Sequence, residues 1–316
     1  MDRFLSIEAF VAVAEAQSFA EAARHMHVSK SVITTRVQQL EEFIGAPLFH
    51  RNTRNVRLSE LGQAYLKDSA NLVGKTIQLV DQMRELKGAL VGRLKIHALP
   101  GFVLGNLATC MVEFQEKYED IMLDLFVNDA VIDPIKEGYD CALQIFEPAS
   151  EELVGRRVCP IRRVFCATPE YLAQHGTPSH PRDLYGHRLG LYSGYPTRER
   201  WIFHGDTGPV ALDLKPVMQT NSVNFLKEYA SLHSGIVCIP TVVAARPLLD
   251  GTLTAVLTDW QLPLLWLLVV YARTQRSNTK LRLFMEHLFA NFAGEPSWDR
   301  ALVECNLLQA SHVDTL

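Results

Sequence analysis

The chain has 316 residues and a mass of 35.6 kDa, room for about two domains. With 48 % hydrophobic and 21 % charged residues it has a globular composition, which excludes a disordered, fibrous or disulfide-stapled chain. A net charge of −4 and a pI near 6.3 exclude a basic coat over the whole surface but not a local basic patch.

Neither a membrane span nor an export signal is expected. The longest apolar run, residues 262–272, has eleven residues, where a spanning helix needs about 20; it reads better as a buried strand. The N-terminus carries Asp2, Glu8 and Glu15, and its longest apolar stretch is six residues, unlike a signal peptide. The six cysteines form no CxxC pair and no metal-ligand spacing. The expectation is a cytoplasmic protein with buried or idle thiols and no metal or cofactor; a redox pair of Cys159 and Cys166 is the alternative.

In chain order, Phe4, Ile7, Val11 and Ala14 repeat at helical spacing. Ser18 and Glu21 have the spacing of a capping box before a short alanine-rich helix that ends near Met26. After a turn at His27-Val28, Ser29 is the N-cap of a third helix with Ile33, Val37, Leu40 and Ile44 on one face. The opposite face carries Ser31, Thr35, Gln38 and Glu42, flanked by Lys30, Thr34, Arg36 and Gln39. Gly45 and Pro47 end the helix. Taken alone, such a face serves solubility as well as recognition. Two short helices joined by a tight turn, however, make a helix-turn-helix, whose second helix enters the major groove and meets base edges with its N-terminal residues.

Residues 49–58 follow as a hairpin or wing. Between residues 30 and 57 five Lys or Arg stand against Glu41 and Glu42, the local footprint of a modular DNA binder. The candidate DNA contacts are Ser29, Lys30, Ser31, Thr34, Thr35, Arg36 and Gln39 on the helix and Arg51, Arg54 and Arg57 on the wing. Hydroxyls, amides and Lys read base edges, whereas the wing cations hold phosphates.

Ser59 can cap a long helix that starts near Glu60. Tyr65, Leu72, Leu79 and Leu86 recur every seven residues, with Leu66, Val73 and Val80 beside them. The heptad stripe points to a coiled-coil-like seam; packing on the helix's own domain is the alternative. Gly88 and Gly92 flank a hinge. Leu94, Ile96 and Ala98 then alternate as a strand, Leu99-Pro100-Gly101 breaks the chain, and one helix is expected through Leu107, Met111, Phe114 and Tyr118. Leu123, Leu125 and Val127 form the next strand, ending at Asn128. A second strand-helix unit begins near Phe165, residues 264–272 return as a central buried strand, and residues 280–292 form the last helix. This alternation is that of an α/β sheet protein.

Ligands of such sheets lie beyond the strand C-termini, near helix N-termini whose amides favour carboxylates. The candidate ligand-binding residues are Leu99, Pro100, Gly101, Phe102, Asn128, Gln144 and Phe146 in the first strand-helix unit. In the other they are Tyr192, Ser193, Asn221, Ser222 and Pro240. Each has a structural alternative: Asn221 and Ser222 as helix caps, Phe146 as core.

Phe10, Ser18, Phe19, Ala22, Ala23, Val28, Ser29, Ser31, Leu40, Glu41, Leu48, Phe49, Arg51, Leu58 and Gly62 together match, in order and spacing, the winged helix-turn-helix of LysR-type transcriptional regulators. The chain resembles that family. Pro169-Glu170-Tyr171-Leu172 with His175-Gly176, Asp140-Cys141-Ala142-Leu143 and Val154-Gly155-Arg156-Arg157-Val158 extend the resemblance to about residue 294. The chain departs from the family at Thr34-Thr35, where Ser-Arg is usual, and at Gln144, where the closest subgroup has Arg. Thr109 and Glu119 stand where Pro is usual.

The fold class the resemblance implies is α/β with an all-α N-terminal winged helix-turn-helix, a long linker helix and a two-lobed effector domain resembling the type II periplasmic binding-protein fold. The domains would be 1–58 for DNA binding, 59–91 for the linker (dimerisation) helix and hinge, and 92–294 for the effector. Within the effector domain, lobe I is about 92–163 and 266–294, and lobe II about 164–265. Residues 295–316 form a C-terminal extension beyond the resemblance, either a small packed helix through Trp298, Leu302, Val303 and Leu307 or a loose tail. The implied function is transcription regulation through sequence-specific binding of double-stranded DNA. A small-molecule effector, for which a carboxylate is a candidate, would control it from the interlobe cleft. A homodimer or homotetramer is the implied assembly, and RNA polymerase is a candidate partner. No P-loop, GxGxxG, HExxH or GxSxG motif is present, so an enzyme is not expected. The alternative is a two-lobed small-molecule binding protein without DNA regulation, which would share the fold but lack the DNA-reading segment.

Overall fold

The structure, a computed structural model, describes residues 2–50, 56–85, 90–102, 107–148, 150–195, 200–292 and 294–309. The chain divides into two units, Met1–Gly92 with Ile135–Tyr139, and Arg93–Pro134 with Asp140–Leu316.

The first unit opens with α1 (Arg3–Ala16), α2 (Phe19–His25) and α3 (Lys30–Ile44), followed by the hairpin β1 (Phe49–His50) and β2 (Arg57–Leu58) and the long α4 (Glu60–Glu85). Each helix start is closed by the side chain at hand. Asp2 accepts from the Leu5 N–H, Ser18 from Glu21, Ser29 from Val32 and Ser59 from Gly62. Of the expected capping box, Ser18 does its part, while the Glu21 carboxylate turns to Arg24 at 2.9 Å. Phe10 centres the core, with the Phe49 and Tyr65 rings 5.3 and 5.6 Å away. The buried Ala22 and Ala23 let α2 approach its neighbours closely.

The apolar stripe of α4 divides in two. Tyr65, Leu66, Ala70 and Val73 pack onto this core, and the buried Ser69 hydroxyl returns to the Tyr65 carbonyl at 2.6 Å. Leu61, Leu72, Ile77, Leu79 and Val80 stay about half exposed. The alternative reading, packing on the helix's own domain, therefore holds for one part of the stripe, and the other part is left uncovered by the first unit; Leu86 lies outside the described residues.

The chain continues through β3 (Gly92–Ala98), α5 (Pro100–Phe102), α6 (Ala108–Lys117), β4 (Ile121–Val127), α7 (Pro134–Glu137), β5 (Cys141–Gln144) and β6 (Leu153–Ile161). Next come β7 (Arg163–Ala167), α8 (Pro169–His175), β8 (Leu189–Tyr192), β9 (Arg200–Gly205), β10 (Gly208–Asp213), β11 (Met218–Thr220), α9 (Val223–Ser231), β12 (Ile236–Pro240), α10 (Thr241–Leu249) and β13 (Thr254–Val256). The last elements are β14 (Leu265–Ala272), α11 (Thr279–Phe292) and α12 (Ser297–Glu304). Of the helix expected through Leu107, Met111, Phe114 and Tyr118, Ala108–Lys117 is helical, and residues 103–106 lie outside the described residues.

Two five-stranded mixed sheets result, ordered β4-β3-β5-β14-β6 and β11-β8-β12-β7-β13. β14 runs antiparallel to both β5 and β6, and Leu267 to Val270 are buried, as the apolar run requires. The chain crosses between the sheets at Arg162 and again over residues 257–264. In the C-terminal extension, the part through α12 packs rather than stays loose, and residues 310–316 lie outside the described residues. Trp298 and Leu302 of α12 are buried, the Trp298 ring lies 6.2 Å from both Phe102 and Phe292, and α12 also packs on α10.

Among the described residues no helix is long and apolar enough to cross a membrane, and no cluster of His, Cys, Asp and Glu could hold a metal ion. Cys159 and Cys166 are free and buried. Burial pushes the Cys159 thiol up to about 12 and Cys166 higher still. Thiols kept neutral this firmly are poor nucleophiles, which argues against the redox alternative.

Candidate DNA-reading head and effector cleft

α3 buries Ile33, Val37 and Leu40 and presents an exposed stripe of Ser31, Thr35, Gln38 and Glu42. With about 100° per residue these four side chains point within one narrow sector. Ser29 and Lys30 are also exposed, and Arg36 and Gln39 sit half-buried on the flanks. The hydroxyls of Ser29 and Ser31 bond each other at 2.8 Å, which orients both at the helix start. Thr34 differs from its neighbours: half-buried, it donates to the Lys30 carbonyl at 2.9 Å, so its hydroxyl is committed to its own helix.

Two residues on the exposed face were not among the expected contacts. Gln38 lies on the stripe itself, and Val32 is 38 % exposed beside it, a position where an apolar side chain can meet a thymine methyl. The spacing of three from Thr35 and four from Thr34 to Gln38 was the available signal for the first. On the wing, Arg57 is exposed on β2, while Arg51 and Arg54 lie outside the described residues. Glu41 acts inside the head: its Oε1 accepts from the Leu48 and Phe49 N–H groups at 2.7 and 3.1 Å. It anchors the first wing strand to α3.

In the second unit a cavity of about 40 Å³ lies where the two sheets meet. Of the expected effector residues, Leu99, Gly101, Phe102, Tyr192 and Pro240 line it. Pro100, Asn128, Gln144, Phe146, Ser193, Asn221 and Ser222 do not, and several have structural employment. Asn128 Oδ1 accepts from the Ala130 N–H at 2.9 Å and meets His97 Nε2 at 3.0 Å. The buried Gln144 donates to the Phe146 carbonyl at 3.0 Å. Ser222 caps α9 by accepting from Phe225 N–H.

The lining that sequence reasoning missed is mostly apolar, including Ile145, Tyr195, Val223 and Leu267, but it also holds Asp129. Burial raises the Asp129 carboxyl above its ordinary range, against a lowering bond from Ser222. The Tyr192 phenol is raised by burial and by the charge of Asp129. Gly101 marks the closest approach across this cleft: a Cβ there would sit 2.6 Å from Val223 Cγ2.

Comparison with known proteins converges on one family. Residues 4–63 match the bacterial regulatory helix-turn-helix proteins of the lysR family, and residues 87–293 match the LysR substrate binding domain. The probable HTH-type transcriptional regulator LtrA of Klebsiella pneumoniae is 29 % identical over 287 residues, 88 % of this chain and 91 % of LtrA. The full-length structure of the virulence activator AphB of Vibrio cholerae is 25 % identical, with a TM-score of 0.60 over 90 % of this chain and 98 % of AphB. CrgA, a LysR-type transcriptional regulator of Neisseria meningitidis, is 26 % identical, with a TM-score of 0.59 over 92 % of this chain and 99 % of CrgA. With its helix-turn-helix head and its two-sheet domain both matched, the chain belongs to the LysR family of bacterial transcriptional regulators.

Proposed function

We propose that α3 reads operator DNA in the major groove and that a small molecule held between the two sheets controls the outcome. The observation that carries the first part is the uncovered stripe of Ser31, Thr35 and Gln38 on a helix that buries Ile33, Val37 and Leu40 on its other face. Ser29, Lys30, Ser31, Thr35 and Gln38 are the base-reading set, with Arg36 and Gln39 at the groove edges. Arg51, Arg54 and Arg57 hold phosphates. Residues 1–58 form the reader, 59–91 the linker and hinge, and 92–294 the effector domain, with 295–316 as a C-terminal extension whose α12 packs onto it. The exposed half of the α4 stripe is the dimer seam, and two dimers form a tetramer that spans two half-sites. RNA polymerase is the further partner that promoter-bound regulators of this kind engage.

For the effector, the cleft lining among the described residues holds Asp129 and no Lys or Arg. That favours a neutral, largely apolar ligand there over the carboxylate suggested by the helix N-termini alone, because Asp129 would repel an anion. The ligand acts by binding one arrangement of the lobes more tightly than the other, which shifts the assembly on DNA.

The test is footprinting of the purified protein on its own upstream DNA at two salt concentrations, with and without a panel of small neutral and acidic molecules. A protected, salt-sensitive site whose extent changes with one of them is the expected result. No preference over random DNA at either salt would overturn the regulator reading.

A further inference from the structure

The chain passes between the two sheets twice, at Arg162 from β6 to β7 and over residues 257–264 from β13 to β14. A change in the angle between the lobes is absorbed by connections of this kind. Residues 295–309, which lie beyond the matched substrate binding domain, touch both. The Arg162 guanidinium donates to the Gln309 carbonyl at 2.7 Å and faces Glu295 at 4.0 Å. The Gln309 side-chain amide donates to Asp259 Oδ1 at 3.0 Å. Gln309 thus ties a side chain of the first crossing to a side chain of the second.

Between Glu295 and Gln309, α12 holds each lobe. On one side Trp298, 6 % exposed, meets the rings of Phe102 and Phe292, each at 6.2 Å. These stand on α5 and α11, which follow β3 and β14 of the first sheet. On the other side α12 packs on α10, which follows β12 of the second sheet. Asp299 and Leu302 are fully buried. Asp299 lies close to the Thr241 hydroxyl, at the start of α10, and to the Arg162 charge. The Thr241 N–H and hydroxyl in turn donate to the Arg162 carbonyl at 2.9 and 3.3 Å. Phe102 and Val242, the neighbour of Thr241, line the interlobe cavity. The groups that α12 holds are therefore those that carry the two walls of the cleft. A helix is stiff over two turns, so it cannot keep both sets of contacts when the walls move apart.

We propose that the C-terminal extension is an interlobe brace: by holding both crossings and both lobes it sets the angle between the sheets, and with it how far the cleft opens. The brace goes beyond the regulator reading, because it acts in the free protein before any ligand or DNA is bound. A ligand that prefers another lobe angle works against it, so the brace tunes how readily the switch is thrown.

The test measures distances within the full-length protein by double electron–electron resonance. C305S removes the exposed cysteine, and the other five are buried. Nitroxides at E116C on α6 and Q174C on α8 read across the cleft, and a pair at E116C and E151C reads within one lobe; all three positions are exposed. Labelled chain is diluted into excess unlabelled chain, so that only distances within one chain are read. W298A is expected to broaden the interlobe distribution at least about 1.5-fold and to leave the pair within one lobe unchanged. Q309A, which cuts only the surface bond to Asp259, broadens it less. The proposal is overturned if the interlobe distribution of folded W298A matches that of the parent chain. It is overturned too if the pair within one lobe broadens as much, since α12 then stiffens a lobe and not the angle between lobes. Should W298A fail to fold, Q309A takes its place with the same two overturning outcomes. Neither DNA nor a ligand enters this test, so its failure is distinguishable from failure of the regulator reading.

Discussion

Arg57 and Thr35 separate two kinds of contact that a DNA-reading head makes. Arg57 is an exposed cation on a wing strand, so R57A is expected to weaken binding across all sequences and to reduce the salt slope of log K by about one. Thr35, in the middle of the exposed α3 stripe, carries no charge; T35A should leave the slope alone and alter base preference in selection from a randomised library. An unchanged slope in the first variant, or an unchanged preference in the second, removes that residue from its role. Asp299 supplies a different residue-level prediction. It is fully buried, and desolvation lifts its carboxyl from 3.8 to about 6, with the nearby Thr241 hydroxyl and the Arg162 charge opposing in part. The native state therefore holds a proton that the unfolded chain releases between these values. Stability from this group is greatest at low pH, falls as pH rises to about 6, and is level above that, a cost on the order of 3 kcal/mol. D299N should raise the urea midpoint at pH 8 and change it little near pH 4; equal effects at both values would refute the assignment.

Two glycines set how closely elements approach. A Cβ at Gly62 would lie 2.1 Å from the Leu48 carbonyl oxygen, at the junction of α4 with the wing, where Ser59 already donates its N–H to that carbonyl. Backbone cannot yield as a flexible side chain can, so G62A should destabilise the first unit by roughly 1–3 kcal/mol in denaturant titration. At Gly101 the obstacle is the Val223 methyl, on α9. G101A should lower stability, and V223A in the same chain should recover most of the loss; an additive double variant would show that the two do not touch. The α3 elements were legible in sequence because short helices capped by Ser18 and Ser29 are local objects. The wing's anchorage was not, since the bonds from Glu41 to Leu48 and Phe49 join residues whose meeting depends on how the chain turns after Gly45.

At the scale of the whole molecule, the half-exposed Leu72, Leu79 and Val80 are apolar side chains on α4 that the first unit does not cover and that we propose as the dimer seam. L79E with V80E is expected to convert the assembly to smaller species in light scattering while leaving the monomer folded, because neither residue contributes to the core of its own unit. An unchanged mass would place the interface elsewhere. The α4 heptad shows why sequence alone left two answers standing: periodicity reports that a stripe is apolar, not which part of it the chain's own core will take. Ser69 and Tyr65 mark the half that folds inward, and that division follows from where Phe10 and Phe49 sit.

Local spacing and capping were enough to mark the helix-turn-helix, the linker and the alternation of strands, because helical period, N-caps and buried runs act over a few residues and leave a direct imprint on the order of side chains. Family membership was legible for the same reason. The cleft lining was decided only by tertiary structure. Asp129 and Tyr195 come from two separate connections and Val223 from the start of α9, and they meet through sheet order and two crossings between sheets, which no spacing records. The packing of α12 on Phe102 and Phe292, and the meeting of Gln309 with Arg162 and Asp259, are likewise long-range outcomes. Their energies depend on desolvation and on which distant groups arrive, and those are properties of the folded chain.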